Sequence, residues 1–201
     1  MEVMQNKSID VTLEETAELL KSRDDYVILC HASPDGDTIG SAAALCLTLR
    51  RIGKRAYIRC ADPLPKKFGY IYSGLTQGDF APETVIASDV ADPKLLGRLR
   101  HAFDSIDLCI DHHVSNTRYA QRLLLDATAS ATCEIIYLLL TGLGLSPDKQ
   151  TADALFTGLS TDTGCFKFSN VTGRTHRIAA ALIEAGAESA EINRLMFDTK
   201  S

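Results

Sequence analysis

Aspartate and histidine residues occur in dense groups separated by long apolar stretches of this 201-residue chain. The segment His31-Ala-Ser-Pro-Asp-Gly-Asp37 carries three metal-capable side chains, and Asp111-His-His113 carries three in succession. Asp89 follows an apolar run, and Asp162 lies in a segment of small polar residues that we interpret as a turn. Together these side chains offer more oxygen and nitrogen donors than one metal ion needs.

Mixed carboxylate and imidazole donors suit manganese, iron or cobalt, and magnesium less well. The groups contain no cysteine, which argues against a structural zinc site. Six or seven ligands favour two ions about 3.5–4 Å apart that share a carboxylate and a water. Such a pair lowers the pKa of the shared water to form a bridging hydroxide and neutralises charge on phosphoryl oxygens. The chemistry predicted from these residues is hydrolysis of phosphate esters.

Each residue also has a purely structural interpretation. A single aspartate after a strand is usually a turn residue, and Asp37 could simply cap the helix that it precedes. The adjacent pair His112-His113 is harder to explain in this way, because two imidazoles directly after a buried strand pack poorly. The combination therefore favours a metal site.

The elements that must position these groups alternate between strand and helix, which predicts an α/β fold with a mainly parallel, Rossmann-like sheet flanked by helices. The predicted strands are Tyr26–Cys30, Arg55–Cys60, Thr84–Ser88 and Ile106–Ile110. Three of them are followed directly by His31, Asp89 or Asp111. Continuous apolar strands are typical of parallel sheets, in which ligands bind at the carboxyl ends of the strands.

The second half of the chain is more helical, and neither an internal repeat nor a linker is apparent. We therefore expect one metal-binding domain over residues 1–201. The predicted helices are Thr12–Arg23, Asp37–Ile52, Pro65–Tyr72, Pro93–His101, Ser130–Leu143, Pro147–Leu159, Arg174–Ala185 and Glu188–Phe197.

Composition narrows the class of protein. Hydrophobic residues make up 45% of the chain, enough for a sizeable core. No apolar run approaches the roughly 20 residues of a membrane helix, and the polar segment Met1–Asp10 does not resemble a signal peptide. The six cysteines are scattered without a Cys-x-x-Cys pair. These features predict a cytoplasmic protein with no membrane contact.

The net charge of −5 argues against binding to long double-stranded nucleic acid. A short oligonucleotide or a nucleotide stays compatible with it, because bound divalent ions would add local positive charge.

The motifs resemble those of the DHH phosphoesterase superfamily. Its His-x-x-x-Asp-x-Asp-x-x-Gly-Ser pattern is matched over residues 31–41, its isolated aspartate by Asp89, its Asp-His-His by residues 111–113 and its last aspartate by Asp162. All four motifs occur in order, and the resemblance extends from about Tyr26 to Phe197.

This resemblance implies a dinuclear site, with manganese as the expected metal and magnesium or cobalt as alternatives. It implies that Asp89 bridges the ions. The ligands of the first ion would be His31, Asp35 and Asp89, and those of the second Asp37, Asp89, His112 and Asp162. His113 would face the substrate and stabilise charge on the phosphoryl group, while Asp111 would orient an imidazole.

Within the superfamily, Thr157–Asn170 resembles the corresponding segment of bacterial oligoribonucleases of the nanoRNase type. These enzymes degrade very short RNAs and often dephosphorylate adenosine 3′,5′-bisphosphate, and relatives cleave linear or cyclic dinucleotides. Single-strand-specific exonucleases and family II inorganic pyrophosphatases form other branches. A pyrophosphatase is the second enzymatic interpretation, although the segment around Asp162 disfavours it.

Family members carry a C-terminal domain with a glycine-rich loop and basic residues that hold the substrate. We expect that domain to be absent from these 201 residues. A third interpretation is therefore a metal-binding module that is inactive without the missing domain. Metal binding should survive the absence, whereas substrate affinity depends on the basic residues. A homodimer is left open.

Secondary candidates for substrate contact follow the histidine pair. Asn116 could contact a nucleotide, and the backbone N–H groups at Ser130 and Thr132 could bind a phosphate at a helix N-terminus. The alternatives are a polar loop residue for Asn116 and a plain helix cap for Ser130. We interpret Arg174, with the neighbouring basic residues of its segment, as the solvated first turn of a helix.

Overall fold

The computed structural model describes residues 8–198, so most of the polar segment Met1–Asp10 lies outside the described residues. Within them, six strands form one parallel sheet with the order β1-β6-β5-β4-β2-β3. This confirms the predicted α/β class. The strands are β1 (Ile9–Asp10), β2 (Tyr26–Leu29), β3 (Ala56–Arg59), β4 (Thr84–Ser88), β5 (Leu108–Asp111) and β6 (Arg122–Leu125).

Helices cover the sheet, mainly from the second half of the chain. They are α1 (Leu13–Ser22), α2 (Gly36–Arg51), α3 (Gly69–Tyr72), α4 (Thr132–Gly142), α5 (Lys149–Asp162), α6 (Gly173–Glu184) and α7 (Ser189–Asn193). A 3₁₀ turn (Lys66–Phe68) precedes α3, another 3₁₀ segment (Pro93–His101) is kinked at Gly97, and Arg194–Asp198 continue α7 as a π-helical turn. None of the helices within residues 8–198 combines the length and the apolar composition needed to cross a membrane.

Side chains of alternating strand residues form two cores, one on each face of the sheet. In β2, Tyr26 and Ile28 pack into the core beneath α1, α2, α4 and α5, whereas Val27 and Leu29 pack into the core on the opposite face. All four are fully buried. This explains why the strand reads as a continuous apolar run in the sequence.

The predicted elements are present with small shifts at their ends, but two strands were missed. β6 is a four-residue strand that begins with Arg122, and β1 has only two residues at the sheet edge. Two residues show no readable periodicity, and the charged first residue of β6 masks its apolar run, so pairing rather than composition identifies both strands. Pairing of β1 with β6 extends the sheet beyond β5.

One correction concerns the site directly. The segment around Asp162 is not a turn, because Asp162 is the last residue of α5. The hydroxyl of Thr161 donates to the carbonyl oxygen of Thr157 at 3.0 Å, and that of Thr163, the C-cap residue, donates to the carbonyl oxygen of Leu159. Small polar residues thus form the last helical turn by bonding back to it.

Helices α2 and α5 cross at Gly40 and Gly158. A Cβ at Gly40 would lie 2.4 Å from the carbonyl oxygen of Ala154, and a Cβ at Gly158 would lie 2.3 Å from Cys133 Sγ and 2.7 Å from Asp37 Oδ1. Only glycine allows this close approach. The crossing fixes the start of α2, which carries Asp37, against α5.

Candidate metal centre

The chain crosses from one side of β2 to the other, because β3 and β4 lie on opposite sides of this strand. His31 follows β2 and Asp89 follows β4, so these residues flank the point where the strand order reverses. Asp111 ends the neighbouring β5. Parallel α/β sheets bind ligands outside the carboxyl ends of the strands at such a switch point.

The six predicted metal ligands converge in two groups. In the first, His31 Nε2 lies 3.6 Å from Asp35 Oδ1 and 3.8 Å from Asp89 Oδ2. Asp35 reaches this group because it is the N-cap of α2, whose side chain accepts from the N–H groups of Asp37 and Thr38. The ligand atoms of the first group lie within 4.8 Å of one another, a spacing that can hold one metal ion.

The second group is centred on His112. Its Nε2 lies 3.2 Å from Asp162 Oδ2, 3.7 Å from Asp89 Oδ1 and 4.0 Å from Asp37 Oδ2. The two oxygens of Asp89 thus face different groups, Oδ2 toward His31 and Oδ1 toward His112. This arrangement is the one a carboxylate shared by two ions requires.

The histidine tautomers test whether these residues fit a metal. His31 Nδ1 donates to the carbonyl oxygen of Ala32 at 2.8 Å, and His112 Nδ1 donates to that of Ala129 at 3.3 Å. In both rings Nε2 therefore carries the lone pair that a metal needs. The buried Nε2 of His112 has no hydrogen-bond partner among the described residues. A lone pair facing three carboxylates is repulsive unless a cation lies between them, so the residues fit a divalent ion.

The pKa values of the buried carboxyl groups also indicate that these residues fit a cation. Burial, with the nearby charges of Asp89 and Asp162, raises the pKa of Asp37 well above its usual range. Burial, followed by the charges of other aspartates beginning with Asp35, raises the pKa of Asp89 similarly. The pKa of Asp162 is also raised, mainly by burial. Without a cation, these three carboxyl groups therefore bind a proton more readily than isolated ones.

The N-terminus of α4 binds two carboxylates of the protein, one of them a predicted metal ligand. The N–H groups of Thr132 and Cys133 donate to Asp37 Oδ2 at 2.7 Å and to Asp37 Oδ1 at 3.0 Å. The N–H of Ser130 donates to Glu134 Oε2 at 2.8 Å. Protein carboxylates therefore already occupy these N–H groups, and a phosphate contact by Ser130 or Thr132 stays a prediction.

A series of hydrogen bonds holds the ring of His113. Its Nδ1 donates to Asp111 Oδ1 at 2.8 Å, and the backbone N–H groups of His112 and His113 donate to the same oxygen. The bond to Asp111 raises the pKa of His113 despite partial burial. Asp111 thus orients the imidazole of His113, whereas that of His112 is oriented by the Ala129 carbonyl.

Asn116 extends this series of hydrogen bonds. Its Nδ2 donates to Asp111 Oδ2 at 2.7 Å, and its Oδ1 accepts from the N–H of Arg118 at 2.8 Å. In the structure, the side-chain amide of Asn116 therefore holds Asp111 in place. A nucleotide contact by Asn116 stays a prediction. The predicted basic turn is also engaged, since Arg174 pairs with Asp126 at 2.8 Å and with the buried Glu134 at 3.2 Å.

Sequence reasoning missed two groups that orient the site. One is the carbonyl of Ala129, which holds the ring of His112, and the other is the hydroxyl of Thr132, which donates to Asp89 Oδ1 at 2.9 Å. Every residue has a carbonyl, so the role of Ala129 left no signal in the sequence. Thr132 was considered in the sequence only for its backbone N–H group, and its hydroxyl was overlooked.

The motif order, the parallel sheet and the convergence of the six predicted ligands in two groups define a class of protein. The chain belongs to the DHH family, since the family's N-terminal domain matches residues 25–159. This confirms the resemblance inferred from the motifs.

Among its relatives, the chain is 34% identical over 189 residues to the bifunctional oligoribonuclease and PAP phosphatase NrnA of Thermus thermophilus, covering 90% of this chain and 57% of the relative. Identity to NrnA of Bacillus subtilis is 29% over 183 residues, covering 88% of this chain and 58% of the relative. A solved structure of an exopolyphosphatase-related protein from Bacteroides fragilis has the same fold, with a TM-score of 0.84, 22% identity, and coverage of 94% of this chain and 61% of the other. The chain thus spans less than two thirds of the length of these proteins.

Proposed function

We propose that this chain is a metal-dependent phosphoesterase acting on short oligoribonucleotides or small nucleotides. The observation that carries the proposal is the unpartnered Nε2 of His112, buried among three carboxylates. His31, Asp35 and Asp89 would hold one ion. Asp37, His112 and Asp162, together with Asp89, would hold the other. The donor set suits manganese, and such ions supply an activated water nucleophile and neutralise phosphoryl charge.

His113 is the residue that we propose to contact the phosphoryl group. It lines the cavity beside the two groups and is 43% exposed at its side chain, in contrast to the largely buried His112. Because Nδ1 donates to Asp111, Nε2 is the ring nitrogen left for a substrate oxygen. Asp111 and Asn116 act through it by holding the ring.

The same cavity favours a nucleotide over inorganic pyrophosphate. It has a volume of about 430 Å³, and the apolar residues among its lining, which we call the apolar wall, are Ala32, Ala91 and Leu95. Among the described residues that line it, there is no lysine or arginine. A ribose or a base can bury apolar surface against this wall, whereas pyrophosphate offers none. The names of the two relatives, oligoribonuclease and PAP phosphatase, support the same substrate class.

The test is hydrolysis by the purified, manganese-loaded chain of an RNA dimer, adenosine 3′,5′-bisphosphate and pyrophosphate. We expect faster turnover of the two nucleotides, and loss of that turnover in an Asp89→Asn control. Preference for pyrophosphate would favour the pyrophosphatase interpretation. Two bound ions without turnover of any substrate would favour a metal-binding module that needs a further domain.

The apolar wall makes a separate prediction. Leu95→Ser should raise KM for the RNA dimer about tenfold, equivalent to roughly 1.4 kcal/mol of lost apolar contact. The kcat and the metal affinity should stay unchanged, because Leu95 contributes no metal-binding atom to either group. Ile183→Ser is the matched control, since Ile183 is 48% exposed and Leu95 45% exposed. An unchanged KM in Leu95→Ser would remove this wall from the substrate site.

A further inference from the structure

Helix α4 begins without a capping side chain of its own. Its N-cap residue is Ala131, whose methyl group cannot accept the free N–H groups of the first turn. Asp37, which is 95 residues away in sequence, accepts two of them through its two carboxylate oxygens. Asp37, Thr132 and Cys133 are all buried. A predicted metal ligand is therefore held by the start of a helix from another part of the chain.

The hydroxyl of Thr132 makes the second contact. It donates to Asp89 Oδ1 at 2.9 Å, and the same oxygen lies 3.7 Å from His112 Nε2. The other oxygen, Oδ2, lies 3.8 Å from His31 Nε2. A bond to Oδ1 alone fixes the rotation of the carboxylate about its Cβ–Cγ bond. That rotation determines whether one oxygen faces each group or both face the same one.

We infer that Thr132 is a positioning residue of the metal centre, which holds Asp37 through its N–H and sets the plane of the Asp89 carboxylate through its hydroxyl. The inference rests on the metal-binding part of the proposed function. Metal-binding carboxylates are usually held by hydrogen bonds that orient them before the ion arrives. Without the hydroxyl, Asp89 is free to rotate away from the lone pair of His112 and from Asp37. Each ion would then have to reorient it on binding.

The alternative is a purely structural role for Thr132. Its buried hydroxyl would then bond to the nearest acceptor and stabilise the fold without affecting metal binding. Thr48 provides the matched control for it. Thr48 is buried within α2, and its hydroxyl donates to the carbonyl oxygen of Ala44 at 2.7 Å. Thr48→Val and Thr132→Val each remove one buried hydroxyl and keep the β-branched shape, but only Thr132→Val affects a carboxylate. Thr132→Ser keeps the hydroxyl.

The experiment is titration of the metal-free full chain and its variants with Mn²⁺ by calorimetry, with EPR of the loaded proteins and thermal unfolding of the metal-free ones. We expect Thr132→Val to weaken Mn²⁺ binding by about 10- to 100-fold. With two equivalents of Mn²⁺, the Thr132→Val protein should show the EPR signal of isolated ions in place of that of coupled ions. Thr132→Ser should restore both readouts, and Thr48→Val should lower only the unfolding temperature.

Wild-type affinity with a coupled signal in Thr132→Val would overturn the inference, and so would a Thr132→Ser variant as weak as Thr132→Val. If Thr132→Val does not fold, Thr132→Ala removes the same bond and is judged by the same readouts. A wild-type chain that binds no Mn²⁺ would overturn the inference together with the proposed function. A chain that binds two ions but hydrolyses no substrate would overturn only the proposed activity, because the titrations remain decisive.

Discussion

Replacing Asp89 by asparagine is expected to abolish binding of at least one metal ion and to lower kcat/KM by about three orders of magnitude. The expected loss of kcat/KM follows from the several kcal/mol by which metal ions stabilise the transition state. Each factor of ten in rate corresponds to about 1.36 kcal/mol. Asp89 is the one predicted ligand whose two oxygens face both His31 and His112. Its loss therefore affects both groups, whereas loss of Asp35 affects the first group alone.

Asparagine is the informative replacement because the backbone of Asp89 is left-handed, with φ of 61°. Asparagine tolerates this conformation better than most residues, so the fold should be retained. Without metal, Asp89→Asn should unfold at the same or a higher temperature than the wild type, since one of the mutually repelling buried carboxylates is gone. The rise in unfolding temperature on adding Mn²⁺ should be smaller than in the wild type, because fewer ions bind.

Calorimetry, steady-state kinetics and thermal unfolding measure the three effects. Asp104→Asn is the control, because Asp104 is exposed and precedes β5 in the chain. It should leave metal binding and turnover unchanged. An Asp89→Asn protein that retains two ions and wild-type turnover would exclude Asp89 from the centre.

Gly158→Ala is expected to destabilise the chain by about 3 kcal/mol, the upper end of the range for overpacking. The new methyl group would overlap Cys133 Sγ at 2.3 Å and Asp37 Oδ1 at 2.7 Å. Asp37 Oδ1 cannot move freely, because it accepts from the N–H of Cys133 at 3.0 Å. Displacement of Asp37 should also weaken metal binding, so stability and Mn²⁺ affinity should fall together.

Urea denaturation measures the first effect and calorimetry the second. Gly142→Ala is the matched control, since a Cβ placed there meets no atom of residues 8–198 within 4 Å apart from its chain neighbours and the backbone of its own helix. It should be neutral or stabilise the helix by up to about 1 kcal/mol. Cys133→Ala in the Gly158→Ala background should recover part of the loss, because it removes one of the overlapping atoms. Wild-type stability of Gly158→Ala would contradict the close crossing of α2 and α5.

The main elements could be predicted from the sequence because their signals are local. Tyr26–Leu29 and Thr84–Ser88 are buried on both faces and therefore appear as continuous apolar runs. Arg122–Leu125 was missed because it begins with a charged residue, and β1 was missed because two residues carry no periodicity. Asp162 was predicted in a turn because small polar residues often form turns, yet here their hydroxyls bond back to the helix.

For the centre, the sequence by itself determined which side chains are candidates and that they gather at one edge of a parallel sheet. Strand ends and residue types are properties of short segments, and the parallel order brings those ends together. Only the tertiary structure decided which atoms face each other. It paired Asp111 with His113, made Asp37 the cap of α4 and placed the hydroxyl of Thr132 on Asp89. The contacts of Asp37 and Asp89 join distant segments through a backbone N–H and a single hydroxyl. Such groups occur throughout any chain, so their partners depend on packing rather than on local sequence.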